Sequence, residues 1–161
     1  MANPIFSLGD STNLGTKGPI AIVFILDDSY SMATQINQKS YYTRAVKALL
    51  DTSKSLPAKS TSSVVLASSP SRVLQQWTTV PEKAKNLLKS SQPSSRTTDI
   101  GAAIKKSLLL LKEVPQKNKL IHILTDRDKN GWDKEEFPLI KETTSYMFNI
   151  VDFSKIQYGI N

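Results

Sequence analysis

The feature that most constrains the fold is a run of apolar residues, Ile20-Ala21-Ile22-Val23-Phe24-Ile25-Leu26, which ends abruptly in two aspartates. Most of these residues are β-branched or aromatic, and none of them could face water favourably. A short, continuous run of this kind is typical of a strand that is buried on both faces of a parallel sheet. It is far too short to cross a membrane, which takes about 20 apolar residues.

The hydrophobic pattern along the rest of the chain alternates between helical and strand-like periods. Helices are predicted over Thr43–Leu56, from Pro81 through Leu88, over 99–112, and from Trp132 to Lys141. Further strands are predicted over Ser63–Ser68, over Arg72–Trp77 as an edge strand, over Leu120–Leu124, and over Ser145–Phe153. Alternating strands and helices predict an α/β fold. Specifically, we expect a Rossmann-like, doubly wound and mostly parallel sheet with helices on both faces.

Length and composition indicate one domain and exclude several classes of site. The 161 residues suffice for a single core. Residues 1–18 show no sustained period and are interpreted as a linker or arm, which leaves 19–161 as the domain. The absence of cysteine excludes thiolate chemistry, and a single histidine excludes a His-rich zinc site. We interpret that histidine, His122, as a hydrogen-bonded core residue because it lies within an apolar strand.

The net charge of +7 requires a separate interpretation. The lysines are spread along the chain without long runs, and aromatic residues do not alternate with them as on a base-stacking surface. We therefore expect a solvated basic surface and no nucleic-acid interface.

Side chains that bear oxygen atoms follow two of the predicted buried strands. Asp27, Ser29 and Ser31 form an Asp-x-Ser-x-Ser pattern after the first strand. Asp126 follows the 120–124 strand, and Thr98 precedes the 99–112 helix. In a parallel sheet these segments meet at the edge formed by the carboxyl ends of the strands. Oxygen ligands without thiol or imidazole favour Mg²⁺, Mn²⁺ or Ca²⁺, so these five residues predict a metal site.

The spacing suggests how such a site would work. Alternate residues of an extended segment point the same way, so we expect Asp27, Ser29 and Ser31 to face one ion. We expect Asp28, which lies between them, to hydrogen-bond the loop. Neutral hydroxyl ligands leave most of the charge of the ion uncompensated, and an open position would then take an anionic oxygen from outside. Asp27 and Asp126 could orient bound waters in the second shell.

A simpler alternative needs no metal. Asp27 and Ser29 could cap a turn, Thr98 could cap the next helix, and Asp126 could merely begin a loop.

These residues resemble the metal-ion-dependent adhesion site of von Willebrand factor A (vWA) domains, and the resemblance extends from Pro19 to Asn161. Within that family the chain is similar to bacterial Bat-type, aerotolerance-associated proteins. That similarity rests on the stretches Phe24-Ile25-Leu26-Asp27-Asp28-Ser29-Tyr30-Ser31-Met32, Thr43-Arg44-Ala45-Val46-Lys47-Ala48-Leu49-Leu50, and Leu124-Thr125-Asp126 with Gly131-Trp132. Many family members carry glycine where Arg127 stands here, and the final helix usual in the family is not evident.

The resemblance implies a non-enzymatic module that binds proteins through a divalent cation, Mg²⁺ or else Mn²⁺ or Ca²⁺. An Asp or Glu of the partner would complete the coordination of the ion, and Tyr30, Arg127 and Trp132 are candidates for the rim of the partner site. The resemblance further implies association with a MoxR-type AAA+ ATPase or with other Bat proteins.

By the same resemblance, the chain would be the soluble part of a larger bacterial protein. Flanking segments absent from this sequence would attach that protein to the membrane, with the periplasmic side favoured. Two alternatives are a vWA-like scaffold with no metal requirement and a Mg²⁺-dependent phosphohydrolase with Asp27 as nucleophile. The second is disfavoured because such enzymes need a carboxylate two residues further on, where Ser29 stands.

Overall fold

A five-stranded sheet forms the centre of the domain. The computed structural model describes residues 18–127 and 147–156. In chain order the strands are β1 (Ile20–Leu26), β2 (Gln35–Ile36), β3 (Lys39–Ser40), β4 (Thr61–Leu66), β5 (Arg72–Thr78), β6 (Asn118–Thr125) and β7 (Met147–Asp152). The main sheet has the order β5-β4-β1-β6-β7, and β2 and β3 form a separate small hairpin. All pairs in the main sheet are parallel except β4 with the edge strand β5, so the prediction of a mostly parallel sheet is confirmed.

Within residues 18–127 and 147–156, three α-helices and one 3-10 turn connect the strands. The helices are α1 (Tyr41–Ser55), α2 (Pro81–Leu88) and α3 (Ile100–Lys112), and the 3-10 turn spans Tyr30–Ala33. Helix α1 begins two residues before its predicted start because the Ser40 side chain caps it, accepting a hydrogen bond from the Thr43 N–H at 3.0 Å. The predicted Trp132–Lys141 helix and residues 1–17 of the predicted arm lie outside the described residues.

Helices cover both faces of the sheet, as the apolar run of β1 predicts. Alternate residues of β1, beginning with Ile20 and ending with Leu26, pack in a core with α1 and α2. The residues between them, from Ala21 to Ile25, pack in a second core with α3. All seven residues of β1 are fully buried. Burial of one large aliphatic side chain contributes roughly 1.5–3 kcal/mol, so β1 anchors both layers of the domain.

Hydroxyl side chains explain why β4 begins earlier than the sequence pattern suggested. Its first three residues, Thr61, Ser62 and Ser63, are polar, yet all three are buried. The hydroxyl of Thr61 donates to the Thr78 carbonyl at 3.2 Å, and that of Ser63 donates to the Gln75 carbonyl at 2.7 Å. These bonds to the edge strand satisfy the hydroxyls of Thr61 and Ser63 without water and so make the burial of these two residues tolerable.

His122 lies in the core, and its interpretation as a hydrogen-bonded core residue is confirmed. Its Nδ1 atom is 2.9 Å from Nδ2 of Asn149 on β7, and its ring packs edge-on against Phe24. An amide nitrogen can only donate, so Nδ1 accepts and the neutral ring carries its proton on Nε2. Burial lowers the pKa of His122 to about 4.

The carboxyl ends of the three inner strands are aligned at one edge of the sheet. Leu26, the last residue of β1, is paired with Leu66 of β4 and with Leu124 of β6. The chain remains bonded just beyond these ends, where the Asp27 N–H donates to the Leu124 carbonyl at 2.9 Å. This alignment brings the polar segments that follow the strands to a common edge.

Candidate metal centre

The Asp-x-Ser-x-Ser loop is extended only in its first half. Ser29 has extended backbone angles, with φ of −68° and ψ of 165°, whereas Ser31 lies within the 3-10 turn. The expectation of an extended segment through Ser31 is therefore wrong. The turn nevertheless brings the two serine Oγ atoms to 3.2 Å from each other. The hydroxyls of this loop thus converge, but by a different backbone route from the one that the spacing suggested.

Asp27 is the centre of the hydrogen-bond network. Its Oδ1 accepts hydrogen bonds from the Ser29 N–H at 3.0 Å and from the Thr98 hydroxyl at 3.1 Å. Its Oδ2 accepts one from the Thr125 hydroxyl at 2.7 Å. Residues that are 71 and 98 positions away along the sequence therefore meet on one carboxylate.

The electrostatic environment of Asp27 disfavours its charged form. Burial raises the pKa of Asp27 above its ordinary value, and the negative charge of Asp126 contributes in the same direction. The hydrogen bonds from Ser29 and Thr125 oppose this rise without cancelling it. A buried carboxylate that lies near another one is an environment in which a bound cation would relieve the cost of the charge.

Thr98 is held in place by backbone pairing with the segment that follows β4. Ser68 and Thr98 form an antiparallel bridge, and the Ser69 N–H donates to the Thr97 carbonyl at 2.8 Å. The N-cap of α3 is Asp99, whose side chain accepts from the Ala102 N–H at 3.0 Å. The alternative in which Thr98 caps this helix is therefore wrong, and its hydroxyl instead donates to Asp27.

The other residues predicted for the site are Asp126, Arg127, Tyr30 and Trp132, and they differ in burial and in contacts. Asp126 is buried directly after β6 and lies near enough to Asp27 to affect its pKa. Arg127 has a left-handed backbone conformation, with φ of 52°, and its N–H donates to the Thr125 hydroxyl at 3.0 Å. Tyr30 is 50% exposed. Trp132 lies outside the described residues, so its predicted place at the rim stays a prediction.

The sequence reasoning did not assign a role to Thr125, nor to the contact between Asp28 and Ser68. Thr125 is the last residue of β6, and a hydroxyl residue that ends a buried strand beside an aspartate is the signal that could have identified it. Asp28 accepts from the N–H and the hydroxyl of Ser68, at 2.8 and 3.0 Å. The Asp28 carboxylate therefore hydrogen-bonds the segment after β4 and not its own loop, and Ser68 has no distinguishing sequence signal.

The chemistry of this donor set fits a hard divalent cation. Within residues 18–127 and 147–156, no group of three or more His, Cys, Asp or Glu side chains could hold a metal ion. A cation at this edge would therefore bind to hydroxyl oxygens as well as to carboxylates. Ser29, Ser31 and Thr98 provide hydroxyls around Asp27, and oxygen-only ligation is what Mg²⁺ and Mn²⁺ accept.

Comparison with solved structures identifies domains of similar fold. The chain is similar to BatB from Bacteroides thetaiotaomicron, with 22% identity and a TM-score of 0.68, over 81% of this chain and 65% of that one. It is similar to an aerotolerance-related membrane protein from Bacteroides fragilis NCTC 9343 with multiple mutations to serines, at 20% identity and a TM-score of 0.64, over 81% and 66%. A von Willebrand factor type A structure from Catenulispora acidiphila has 16% identity and a TM-score of 0.66, over 84% and 33%. The chain thus spans less than two thirds of the length of each of these structures.

Sequence comparison assigns the family. Among curated proteins, none matches the chain significantly. A family model for the von Willebrand factor type A domain matches residues 22–129, which include all of the described centre. That match covers more than half of the chain, and the sheet order and the flanking helices agree with it. The chain therefore belongs to the von Willebrand factor type A domain family.

Proposed function

We propose that this domain is a non-enzymatic module that binds a protein partner through a divalent cation. The observation that carries the proposal is the cluster of Asp27, Ser29, Ser31 and Thr98, which is joined by hydrogen bonds at the carboxyl edge of the sheet. The cluster brings together hydroxyl and carboxylate oxygens from segments far apart in the sequence. Such a convergence of hard ligands is what a small cation requires.

The residues of the cluster would have distinct roles around Mg²⁺ or Mn²⁺. The hydroxyls of Ser29, Ser31 and Thr98 would be ligands, and Asp27 and Asp126 would supply negative charge beside them. Thr125 would keep Asp27 oriented through the 2.7 Å bond to its Oδ2. The bound ion would supply a positive charge that attracts an anionic oxygen.

A carboxylate is the partner group that suits this charge distribution. Neutral hydroxyls do not compensate the charge of the ion, and the domain as a whole is basic, with a net charge of +7. An Asp or Glu of a partner protein would therefore be drawn to the ion both locally and at longer range. We propose that Tyr30, which is half-exposed on the same loop, and Arg127, which follows Asp126, would contact such a partner.

Binding suits this centre better than catalysis by Asp27 does. A phosphohydrolase that uses an aspartate nucleophile needs a second carboxylate two residues on as its acid or base, and Ser29 occupies that position. Both oxygens of Asp27 also accept hydrogen bonds from neighbouring groups. These contacts orient Asp27 as a support for other ligands.

The partner class is a further part of the proposal and extends what the resemblance to Bat-type proteins implies. BatB and the aerotolerance-related membrane protein share the fold of this chain. We therefore propose other Bat proteins, or a MoxR-type AAA+ ATPase, as partners, and attachment of the whole protein to a bacterial membrane, with the periplasmic side favoured. Within the described part of the chain, no helix has the length and apolarity needed to cross a bilayer.

The test of the proposal begins with the ion alone. Mn²⁺ should bind the wild-type protein with one-to-one stoichiometry in a calorimetric titration, and Asp27→Asn should abolish this binding. Asp51→Asn is a matched control because it removes the same charge from an exposed residue of α1, which pairs with Lys47. This control should bind Mn²⁺ as the wild type does.

The partner test then uses the same variants. Binding of a Bat protein or of a MoxR-type ATPase should be lost with EDTA and restored by Mg²⁺ or Mn²⁺. Binding that survives chelation unchanged would contradict the role of the cation. Wild-type protein that takes up no Mn²⁺ would leave the domain as a scaffold without a metal requirement.

A further inference from the structure

Asp28 is a buried carboxylate beside the centre, and its contacts are different from those of Asp27. Its Oδ1 accepts from the Ser68 N–H at 2.8 Å, and its Oδ2 accepts from the Ser68 hydroxyl at 3.0 Å. Asp28 and Ser68 are both buried and lie 40 positions apart in the sequence. Asp28 therefore links the loop after β1 to the segment after β4.

Two further contacts hold Asp28 in place. Its carbonyl accepts from both the N–H and the hydroxyl of Ser94, at 2.6 and 2.9 Å. A guanidinium nitrogen of Arg72 lies 3.9 Å from Oδ2, on a side chain that is 53% exposed. The Asp28 charge thus has a cationic neighbour on the edge strand, and its backbone is joined to the segment that leads to Thr98. Every acceptor atom of this residue is used for holding other segments.

The segment that Asp28 holds is the one that carries Thr98. Ser68 is bridged to Thr98, and the residues on either side continue the pairing. The Ser69 N–H donates to the Thr97 carbonyl at 2.8 Å, and the Asp99 N–H donates to the Ala67 carbonyl at 2.7 Å. Asp28 thus holds Ser68, and the two backbone hydrogen bonds that flank the Ser68–Thr98 bridge hold Thr98 beside it. The Thr98 hydroxyl in turn donates to Asp27.

We propose that Asp28 is a positioning residue of the metal centre, which fixes the Thr98 hydroxyl relative to Asp27 by clamping Ser68. This inference rests on the proposed function, because it assigns to Asp28 a share in the affinity for the ion. Asp28 does not itself contact the ligand hydroxyls in this network. Partners that orient metal ligands from outside the first shell typically change affinity by about 10- to 100-fold when they are removed.

Two substitutions distinguish the clamp from the charge. Asp28→Ala removes both acceptors and leaves the buried Ser68 N–H without its partner. Asp28→Asn keeps one acceptor for that N–H and can donate to the Ser68 hydroxyl, but it carries no charge. We expect Asp28→Ala to weaken Mn²⁺ binding by about tenfold or more, and we expect Asp28→Asn to restore most of the affinity.

A double-mutant cycle with Thr98→Ala shows whether Asp28 acts through Thr98. If it does, Asp28→Ala should weaken Mn²⁺ binding in the wild-type background but should have little further effect once the Thr98 hydroxyl is gone. Each protein is titrated with Mn²⁺ alone, under conditions in which circular dichroism shows it to be folded. Ile20→Val is a control for general destabilisation, because this buried residue lies at the amino end of β1, and it should leave Mn²⁺ affinity unchanged.

A second readout does not depend on metal. Amide hydrogen exchange at Ser69 and Asp99, whose N–H groups join the two segments, should accelerate in Asp28→Ala and much less in Asp28→Asn. Unchanged Mn²⁺ affinity in Asp28→Ala, or losses that simply multiply in the double variant, would overturn the role of Asp28 while the proposed function stands. Absence of Mn²⁺ binding in the wild type would overturn both.

Discussion

Arg127 is a residue whose backbone conformation does not suit its side chain. Its φ of 52° lies in the left-handed region, where a residue with a Cβ atom is strained by about 1 kcal/mol or more. The same position directly follows Asp126, and its N–H is bonded to the hydroxyl that orients Asp27. Glycine, which lacks a Cβ atom, would adopt this conformation without that strain.

We therefore expect Arg127→Gly to have two independent effects, one on the free energy of unfolding and one on the affinity for Mn²⁺. We expect the free energy of unfolding, measured by urea denaturation, to stay the same or to rise by up to about 1 kcal/mol. The relief of backbone strain is partly offset by the larger conformational entropy of glycine in the unfolded chain. Mn²⁺ affinity in a calorimetric titration should rise a few-fold, because one positive charge beside the site is removed.

Lys59→Gly is the matched control for this substitution. Lys59 also has a left-handed φ, of 66°, but it precedes β4 at the opposite edge of the sheet. It should show the same stability effect with no change in Mn²⁺ affinity. Equal Mn²⁺ affinities for Arg127→Gly and the wild type would show that the guanidinium does not act on the ion.

His122 makes the stability of the domain depend on pH. Its pKa is about 4 in the folded state, against an ordinary value of 6.5, so the unfolded chain takes up the proton first as the pH falls. The contribution of neutral His122 is complete above pH 6.5 and is lost as the pH falls towards 4. It amounts to about 3 kcal/mol over that window.

His122→Gln should remove most of this dependence, because glutamine does not titrate and its oxygen can accept from Asn149. Urea unfolding at pH 7 and pH 4.5 measures the effect as a difference between the two proteins. Burial raises the pKa of Asp27, so its ionisation lowers the stability of the folded state as the pH rises. This effect is opposite in sign to that of His122, but it is the same in the wild type and in the variant. Parallel pH profiles for wild type and variant would refute the assignment to His122.

At the level of single residues, the sequence indicated which side chains would meet but not how they bond. Asp27 and Asp126 could be placed because each follows a buried apolar strand, and parallel topology then fixes their common edge. The convergence of Ser31 depends on a 3-10 turn, for which the segment 30–33 has no periodic signal. The clamp between Asp28 and Ser68 depends on tertiary packing of two loops, which local spacing does not encode.

Among the secondary-structure elements, α3 separates the capping role from the proposed metal role in adjacent residues. Asp99 caps the helix, whereas the Thr98 hydroxyl bonds to Asp27. Asp99→Ala should lower the free energy of unfolding by about 1 kcal/mol and should leave Mn²⁺ affinity nearly unchanged. Thr98→Ala should do the reverse, with little loss of stability without metal and a large loss of Mn²⁺ affinity. Urea unfolding with EDTA and Mn²⁺ titration of both variants measure the two effects.

The opposite effects of the two substitutions on stability and on Mn²⁺ affinity distinguish the helix cap from the metal ligand. If Thr98→Ala were the more destabilising change and Asp99→Ala the more damaging one for Mn²⁺ affinity, the assignment of cap and ligand would be inverted. Thr97→Ala, at an exposed neighbour on the same segment, is the control for an unrelated loss of hydroxyl and should do neither.

The elements themselves were predictable where one physical signal dominated. The continuous apolar run predicted both ends of β1. Pro81 predicted the first turn of α2, because a backbone N–H has no partner within the helix at that position and proline lacks one. The small hairpin of β2 and β3 was not predicted, because each strand has only two residues, Ile36 is the single apolar one, and none of the four is fully buried. Its position depends partly on Arg44 of α1, which donates to the Ile36 carbonyl at 2.7 Å.

For the whole molecule, a bound cation should be linked to global stability. Anything that binds only the folded state stabilises it, by about 2.7 kcal/mol when the ligand is at 100 times its dissociation constant. Mg²⁺ or Mn²⁺ at millimolar concentration should therefore raise the melting temperature of the wild type in differential scanning calorimetry. Asp27→Asn should show no such rise, and Asp51→Asn should show the full rise. A rise of the same size in all three proteins would indicate a general salt effect.

The Asp27 carboxylate joins the first strand of the domain to Thr98 and Thr125, across nearly a hundred positions of intervening chain. No short fragment of the sequence contains this junction, because it needs Asp27, Thr98 and Thr125 together. The junction is therefore complete only when the segment after β1, the segment before α3 and the end of β6 lie together. A ligand that recognises this junction would bind only copies of the domain in which these segments are folded together. It would not bind nascent or misfolded copies.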